Sequence, residues 1–123
     1  NMPKIIVKRK GDVYKEFLIR PFQSRIMIGS DGHNDLIISD NKVALHHLII
    51  EKQGTEYFVK NLDGASVCHL NGKKIVKKTQ ISNGDRLSIG DHSLVSENTL
   101  ISLSADILFL LRFLHLLPLL LKK

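Results

Sequence analysis

The sequence predicts an all-β fold, an antiparallel sandwich of about ten short strands, on three observations. Short β-branched or aromatic runs recur along residues 1–98, and none is long enough to read as a helix. Gly, Asn, Asp and Pro punctuate those runs every several residues. Asn71-Gly72 lies between two of them, and that dipeptide tolerates the positive φ angles of a type I′ hairpin turn. Two sheets burying alternate side chains between them satisfy all three.

The elements follow in order. Residues 4–9 read as a strand, Lys10-Gly11-Asp12 as a turn and 14–20 as a second strand. Residues 21–24 interrupt, 25–29 resume, and Ser30-Asp31-Gly32-His33-Asn34 form a polar loop before a short strand at 36–39. After the Asp40-Asn41-Lys42 turn come strands at 48–51 and 57–61, separated by Gln53-Gly54-Thr55. A loop at 62–66 leads to the hairpin of 67–70 and 73–76. Asn83-Gly84-Asp85 and Gly90-Asp91-His92 then frame strands at 87–89 and 93–96. There is no internal repeat.

Length and composition bound the function. A chain of 123 residues has room for one domain, placed at 1–98, with a leucine-rich tail at 99–123. Hydrophobic content of 43% against 24% charged residues describes a globular core rather than general disorder. The formal net charge of +6 suits an anionic partner. The basic residues, however, are scattered as Lys8-Arg9-Lys10, Lys73-Lys74 and Lys77-Lys78 without interleaved aromatics, so they read as solvated strand edges and no nucleic acid is expected. Cys68 is the single cysteine, which excludes an internal disulfide and a thiolate zinc cluster. No metal or cofactor is expected. The opening residues have no secretory pattern, and the expected location is the cytoplasm.

Six markers recur in a recognisable order: Ile28-Gly29; Asn34-Asp35-Leu36; His47 with Ile50; Tyr57-Phe58-Val59-Lys60-Asn61-Leu62; Leu70-Asn71-Gly72-Lys73-Lys74-Ile75; and Asn83-Gly84-Asp85-Arg86-Leu87-Ser88-Ile89-Gly90. With this order and spacing, residues 4–97 resemble a forkhead-associated (FHA) domain. The resemblance implies an eleven-stranded sandwich whose loops at one end bind partner peptides, typically around a phosphothreonine. A doubly charged phosphate wants a guanidinium fork, hydroxyl donors and backbone N–H groups converging on it. Here the chain departs from the family pattern. The family's arginine after the strand-closing Gly29 is Ser30, its serine is Ala44, and the basic residue that often follows is Leu45. In the later loop its serine and asparagine-glycine-threonine are Gly64, Ser66, Val67 and Cys68.

The resemblance therefore places a peptide-binding face on Ser30, Lys42, Ala44, Leu45, His46, Gly64, Ala65 and Ser66, with Gly29, His47, Asn71 and Gly72 holding loop shape. The expected partner is a protein or peptide, bound without a phosphothreonine requirement. A phosphothreonine reader using replacement donors is the alternative, with His33, His46 and Lys42 as cations and Ser30 and Ser66 as hydroxyls. Adjacent His46 and His47 would point to opposite faces of a strand and so do not converge as a metal site or general base. Ser39, Asp40 and His47 supply the residue types of a hydrolase triad, but no nucleophile elbow or oxyanion loop accompanies them, and no enzyme is predicted.

Residues 100–121 read as an apolar helix of about 22 residues, long enough at ~1.5 Å per residue to cross a bilayer core. Asp106 and Arg112 each cost about 2.5–3.5 kcal/mol near the bilayer centre, whereas each leucine returns only about 0.3–0.6. Three readings stay open for this tail: a membrane anchor of a tethered structural or secretion-apparatus component, a helix covering the sandwich or a partner, and an unphysiological end left by truncation or a frame error.

Overall fold

A computed structural model describes residues 3–64, 66–98, 110–112, 114, 115 and 118. Eleven strands run in the order β1 Pro3–Arg9, β2 Asp12–Leu18, β3 Arg25–Gly29, β4 Leu36–Ile37, β5 Leu48–Gln53 and β6 Glu56–Asn61, then β7 His69–Leu70, β8 Lys73–Lys74, β9 Thr79–Ile81, β10 Arg86–Ile89 and β11 His92–Asn98. They form a six-stranded sheet, β2-β1-β11-β10-β7-β8, packed on a five-stranded sheet, β4-β3-β5-β6-β9. Every described pairing is antiparallel except β3 with β4, where Ile28 and Gly29 lie beside Leu36 and Ile37 in parallel.

The core is the period-two pattern made physical. Ile5 and Val7 of β1, Leu87 and Ile89 of β10 and Leu94 of β11 face inward from one sheet. Ile26, Ile28, Leu48, Ile50, Val59 and Ile81 meet them from the other, and all belong to one buried cluster. Burying each such side chain contributes about 1.5–3 kcal/mol. The Asn71-Gly72 hairpin forms with φ of 53° and 85°, and Lys10-Gly11 turns β1 into β2 with nearly the same pair, 51° and 85°.

The structure differs from the sequence reading in three places. Strand β9 was not anticipated, because Lys77-Lys78-Thr79-Gln80-Ile81 contains one apolar residue; the strand exists through its pairing with β6, Val59 opposite Thr79 and Tyr57 opposite Ile81. The runs at 36–39, 67–70 and 73–76 shorten to two-residue strands. Their apolar residues Ile38, Cys68 and Ile75 are buried as expected, but from loops. Strand β2 begins at Asp12 and ends at Leu18 rather than spanning 14–20.

The register decides which connections share an end. Ile89 and Arg9 both lie opposite His92, so the Gly90-Asp91 and Lys10-Gly11 turns are neighbours. Ile28 and Asn61 both lie opposite Leu48, which brings loops 30–35, 38–47 and 62–68 together at one end of the other sheet. We call this the apical end. The tail reading over 100–121 lies mostly outside the described residues. Positions 110–112, 114, 115 and 118 are helical, with Leu110, Leu111 and Leu114 all more than half exposed. Among the described residues no helix is long and apolar enough to cross a membrane.

Candidate functional site

The apical loops are stacked on the end of β3 by one glycine. A Cβ on Gly29 would lie 2.8 Å from the backbone carbon of Leu45 and 2.9 Å from the Ala44 carbonyl oxygen, closer than real side chains come. That approach lets Ser30 N–H donate to Ala44 O at 3.0 Å and Asp31 N–H donate to Leu45 O at 3.2 Å. Loop 38–47 is therefore laced to loop 30–35 by backbone alone, and Gly29 is what the lacing requires.

Side chains then close the loops on themselves. Ser30 Oγ donates to Val43 O at 2.9 Å. Buried Asn34 donates through Nδ2 to Asp31 O at 2.8 Å and to Leu45 O at 2.6 Å, while its Oδ1 lies 3.3 Å from Nδ1 of exposed His46. Asp31 Oδ2 accepts the His33 N–H at 3.0 Å and also lies 3.0 Å from His33 Nδ1. Those two bonds, with smaller contributions from the histidine charges, hold the Asp31 carboxyl below its ordinary range.

A second cluster lies where loop 38–47 meets the Gly90-Asp91 turn. Lys42 Nζ pairs with both carboxylate oxygens of Asp91, at 3.1 and 3.2 Å. Beneath it, Asp40 accepts from Lys42 N–H at 2.9 Å and from Asp91 N–H at 3.4 Å. The Lys42 amide is the largest influence holding Asp40 below its ordinary range. His92 is buried with Nδ1 3.2 Å from Asp40 Oδ2, at ion-pair distance but off the line of a hydrogen bond; neither ring nitrogen makes one among the described residues. The Tyr14 ring packs edge-on against it, centroids 4.9 Å apart.

His47 joins loop 38–47 to loop 62–68. Its ring is buried; Nδ1 accepts the Ala44 N–H at 3.1 Å and Nε2 donates to Val67 O at 3.0 Å. Because an amide can only donate, Nδ1 is the bare nitrogen and Nε2 carries the proton. Asn61 shapes the same loop, donating from Nδ2 to Asp63 O and Ser66 O at 3.0 and 2.8 Å. On the solvent side of this bridge stand two large apolar side chains, Leu45 at 65% and Val67 at 44% exposure. Burial pushes the Cys68 thiol up to about 11, so it remains a protonated core residue at neutral pH.

The structure thus gathers Ser30, Lys42, Ala44, Leu45, His46, Gly64 and Ser66 on the apical loops, braced by Gly29 and His47. Ala65 lies outside the described residues. Asn71 and Gly72 are elsewhere: Asn71 donates to Asp85 Oδ1 at 3.0 Å and accepts from Arg86 N–H at 2.9 Å, at the opposite end of β10. Of the cations grouped in the sequence reading, His33 lies on Asp31, His46 on Asn34 and Lys42 on Asp91, and both histidines act on the Asp31 carboxylate. His46 and His47 do diverge, one exposed and one buried, though in a loop rather than on a strand. Asp40 turns to His92 and not to His47. The sequence reading gave no site role to Asp31, Asn34, Asn61 and Asp91: Asn34 and Asn61 stood among its family markers, and Asp31 and Asp91 only as loop and turn residues.

The electrostatics of this end run against those of the chain. Loops 30–34, 38–47 and 62–68 and the turn 90–91 carry four carboxylates, Asp31, Asp40, Asp63 and Asp91, against Lys42 as sole lysine or arginine, although the whole chain has a net charge of +6. Asp35 faces away, accepting from Met27 N–H at 2.7 Å. The basic run Lys8-Arg9-Lys10 turns at the same end but on the β1–β2 side of the other sheet.

A sequence model of the FHA domain matches residues 26–90, more than half of the 123 residues. The chain belongs to the FHA domain family. The chain is 29% identical over 65 residues to the transcriptional regulatory protein EmbR of Mycobacterium tuberculosis and Mycobacterium bovis. That match spans 53% of this chain and 17% of the length of EmbR. Among solved structures, the FHA domain of the CT664 protein from Chlamydia trachomatis superposes with a TM-score of 0.71 at 17% identity, covering 80% of this chain and 98% of that one. The FhaA FHA domain complexed with the intracellular domain of Rv3910 gives 0.67 at 16% identity, covering 77% and 99%. M. tuberculosis EmbR in complex with a low affinity phosphopeptide gives 0.68 at 21% identity, covering 78% and 24%. At such identities the likeness establishes the fold. An FHA domain is a protein–protein interaction module, typically one that binds phosphothreonine.

Proposed function

We propose that this FHA domain docks its protein partner through the apical loops without requiring phosphothreonine. One observation carries the reading: eight backbone N–H groups, the Ser30 hydroxyl and the Lys42 ammonium of these loops are bonded within the protein, and the partly exposed Asp31 carboxylate adds a negative charge among them. The N–H groups of Ser30, Asp31, Asn34, Val43 and Ser66 go to carbonyls, those of His33 and Lys42 to carboxylates and that of Ala44 to His47. The Ser30 hydroxyl goes to Val43 O and the Lys42 ammonium to Asp91. A phosphate placed there would break these bonds before making its own.

Charge-assisted bonds contribute about 1.5–3 kcal/mol each. Without the guanidinium and two of the polar donors, phosphate-dependent affinity falls on the order of a hundredfold or more. Among the structural neighbours, the FhaA FHA domain is complexed with the intracellular domain of Rv3910 and EmbR with a low affinity phosphopeptide. Probing an arrayed peptide library in matched threonine and phosphothreonine forms tests the reading. Capture of the threonine forms at least equal to that of the phosphothreonine forms is expected; capture of the phosphothreonine forms alone overturns it.

A further inference from the structure

We infer that the apical face accepts a partner segment in which an apolar side chain is flanked by lysine or arginine. This rests on the docking reading above and names the chemistry of its partner.

The apolar half of the inference comes from Leu45 and Val67. Isolated exposed hydrophobes are ordinary. These two differ because a single buried imidazole ties the backbones that carry them, His47 binding the amide of Ala44, next to Leu45, on one side and the carbonyl of Val67 on the other. Further bonds secure both loops, with Leu45 O accepting from Asp31 N–H and Asn34 Nδ2, and Leu62 N–H donating to His47 O at 2.9 Å. Two aliphatic side chains on so fixed a backbone offer contact area with little ordering cost on binding.

The basic half comes from charge complementarity around that apolar pair. Asp31 is joined to Leu45 through its own N–H, its side chain is 31% exposed, and its carboxylate contacts the ring of His33, itself 94% exposed. An arriving lysine or arginine meets this carboxylate and can displace the solvated histidine. An arriving phosphate, aspartate or glutamate is repelled by it.

Fluorescence anisotropy of the full chain with three degenerate peptide libraries tests the inference. Each carries a central leucine, flanked by Lys/Arg, by Glu, or by phosphothreonine. The Lys/Arg library should bind at least about tenfold more tightly than the Glu library, and the margin should shrink as salt rises. Asp31→Asn should cut that margin to about threefold or less, and Leu45→Ser should remove binding of all three, with circular dichroism confirming that both variants fold. Equal binding of the Lys/Arg and Glu libraries overturns this inference while leaving phosphate independence intact. Preference for the phosphothreonine library overturns both, and binding of none of the three overturns the apolar–basic assignment.

Discussion

Lys42 grips Asp91 at two points, Nζ to each carboxylate oxygen at 3.1 and 3.2 Å, across 49 residues of sequence. The pair pins loop 38–47 to the β10–β11 turn, and it occupies the one lysine that could have met an anion on these loops. Exposed pairs of this kind are worth about 0–1 kcal/mol. Lys42→Ala should therefore lower stability by less than about 1 kcal/mol in urea denaturation and leave peptide binding within about twofold. Loss of binding would show that Lys42 is a ligand contact and not a strut.

Gly29 marks the closest approach of two backbones at the site. Gly29→Ala drives a methyl into the Ala44 and Leu45 peptide groups, and overpacking against rigid backbone costs about 1–3 kcal/mol or more. Denaturation should show that loss, with the largest amide shifts at residues 30, 31, 44 and 45. A wild-type melting curve would contradict the stacking described for these loops.

His47 is read as a brace. Replacing it with alanine removes a buried ring and leaves the Ala44 N–H and the Val67 carbonyl without their partner, a loss on the order of 2–5 kcal/mol. Hydrogen exchange should quicken at Ala44. An unchanged Ala44 amide would mean that the imidazole does not hold the two loops together.

Asp40 sets an acid limb. Its carboxyl, ordinarily near 3.8, is lowered chiefly by the Lys42 N–H, with help from the Asp91 N–H and the charges of His92 and Lys42. A depressed folded value stabilises the protein above the ordinary value, and that stabilisation disappears as pH falls through the folded value. Urea midpoints measured from about pH 6 to pH 2 should fall mainly below about pH 4, and Asp40→Asn should flatten that fall. An identical acid limb in the variant would remove Asp40 as its source.

The sandwich was readable because strand burial writes itself as alternation, as in Arg25-Ile26-Met27-Ile28, and because Asn71-Gly72 demands positive φ. Strand β9 was not, since Thr79 and Gln80 take their conformation from β6 rather than from their own pattern. At the site, the missing donors at Ser30, Ala44 and Gly64 could be read by position. What replaced them could not: the contact of Lys42 with Asp91 and of His47 with Val67 depends on how loops far apart in sequence stack, and periodicity reports which side is buried without saying which loops meet. The same gap explains Asn71, whose residue type signalled a turn correctly but not the end of the molecule on which it lies.

Titration of the isotopically labelled domain with free phosphothreonine, followed by amide NMR, bears most directly on the central claim. The amides of Ser30, Asp31, Ala44 and Ser66 should show no saturable shift up to about 1 mM ligand, the level of roughly −4 kcal/mol of binding. Saturable shifts converging on those four amides would mean that the loops open to grip a phosphate after all.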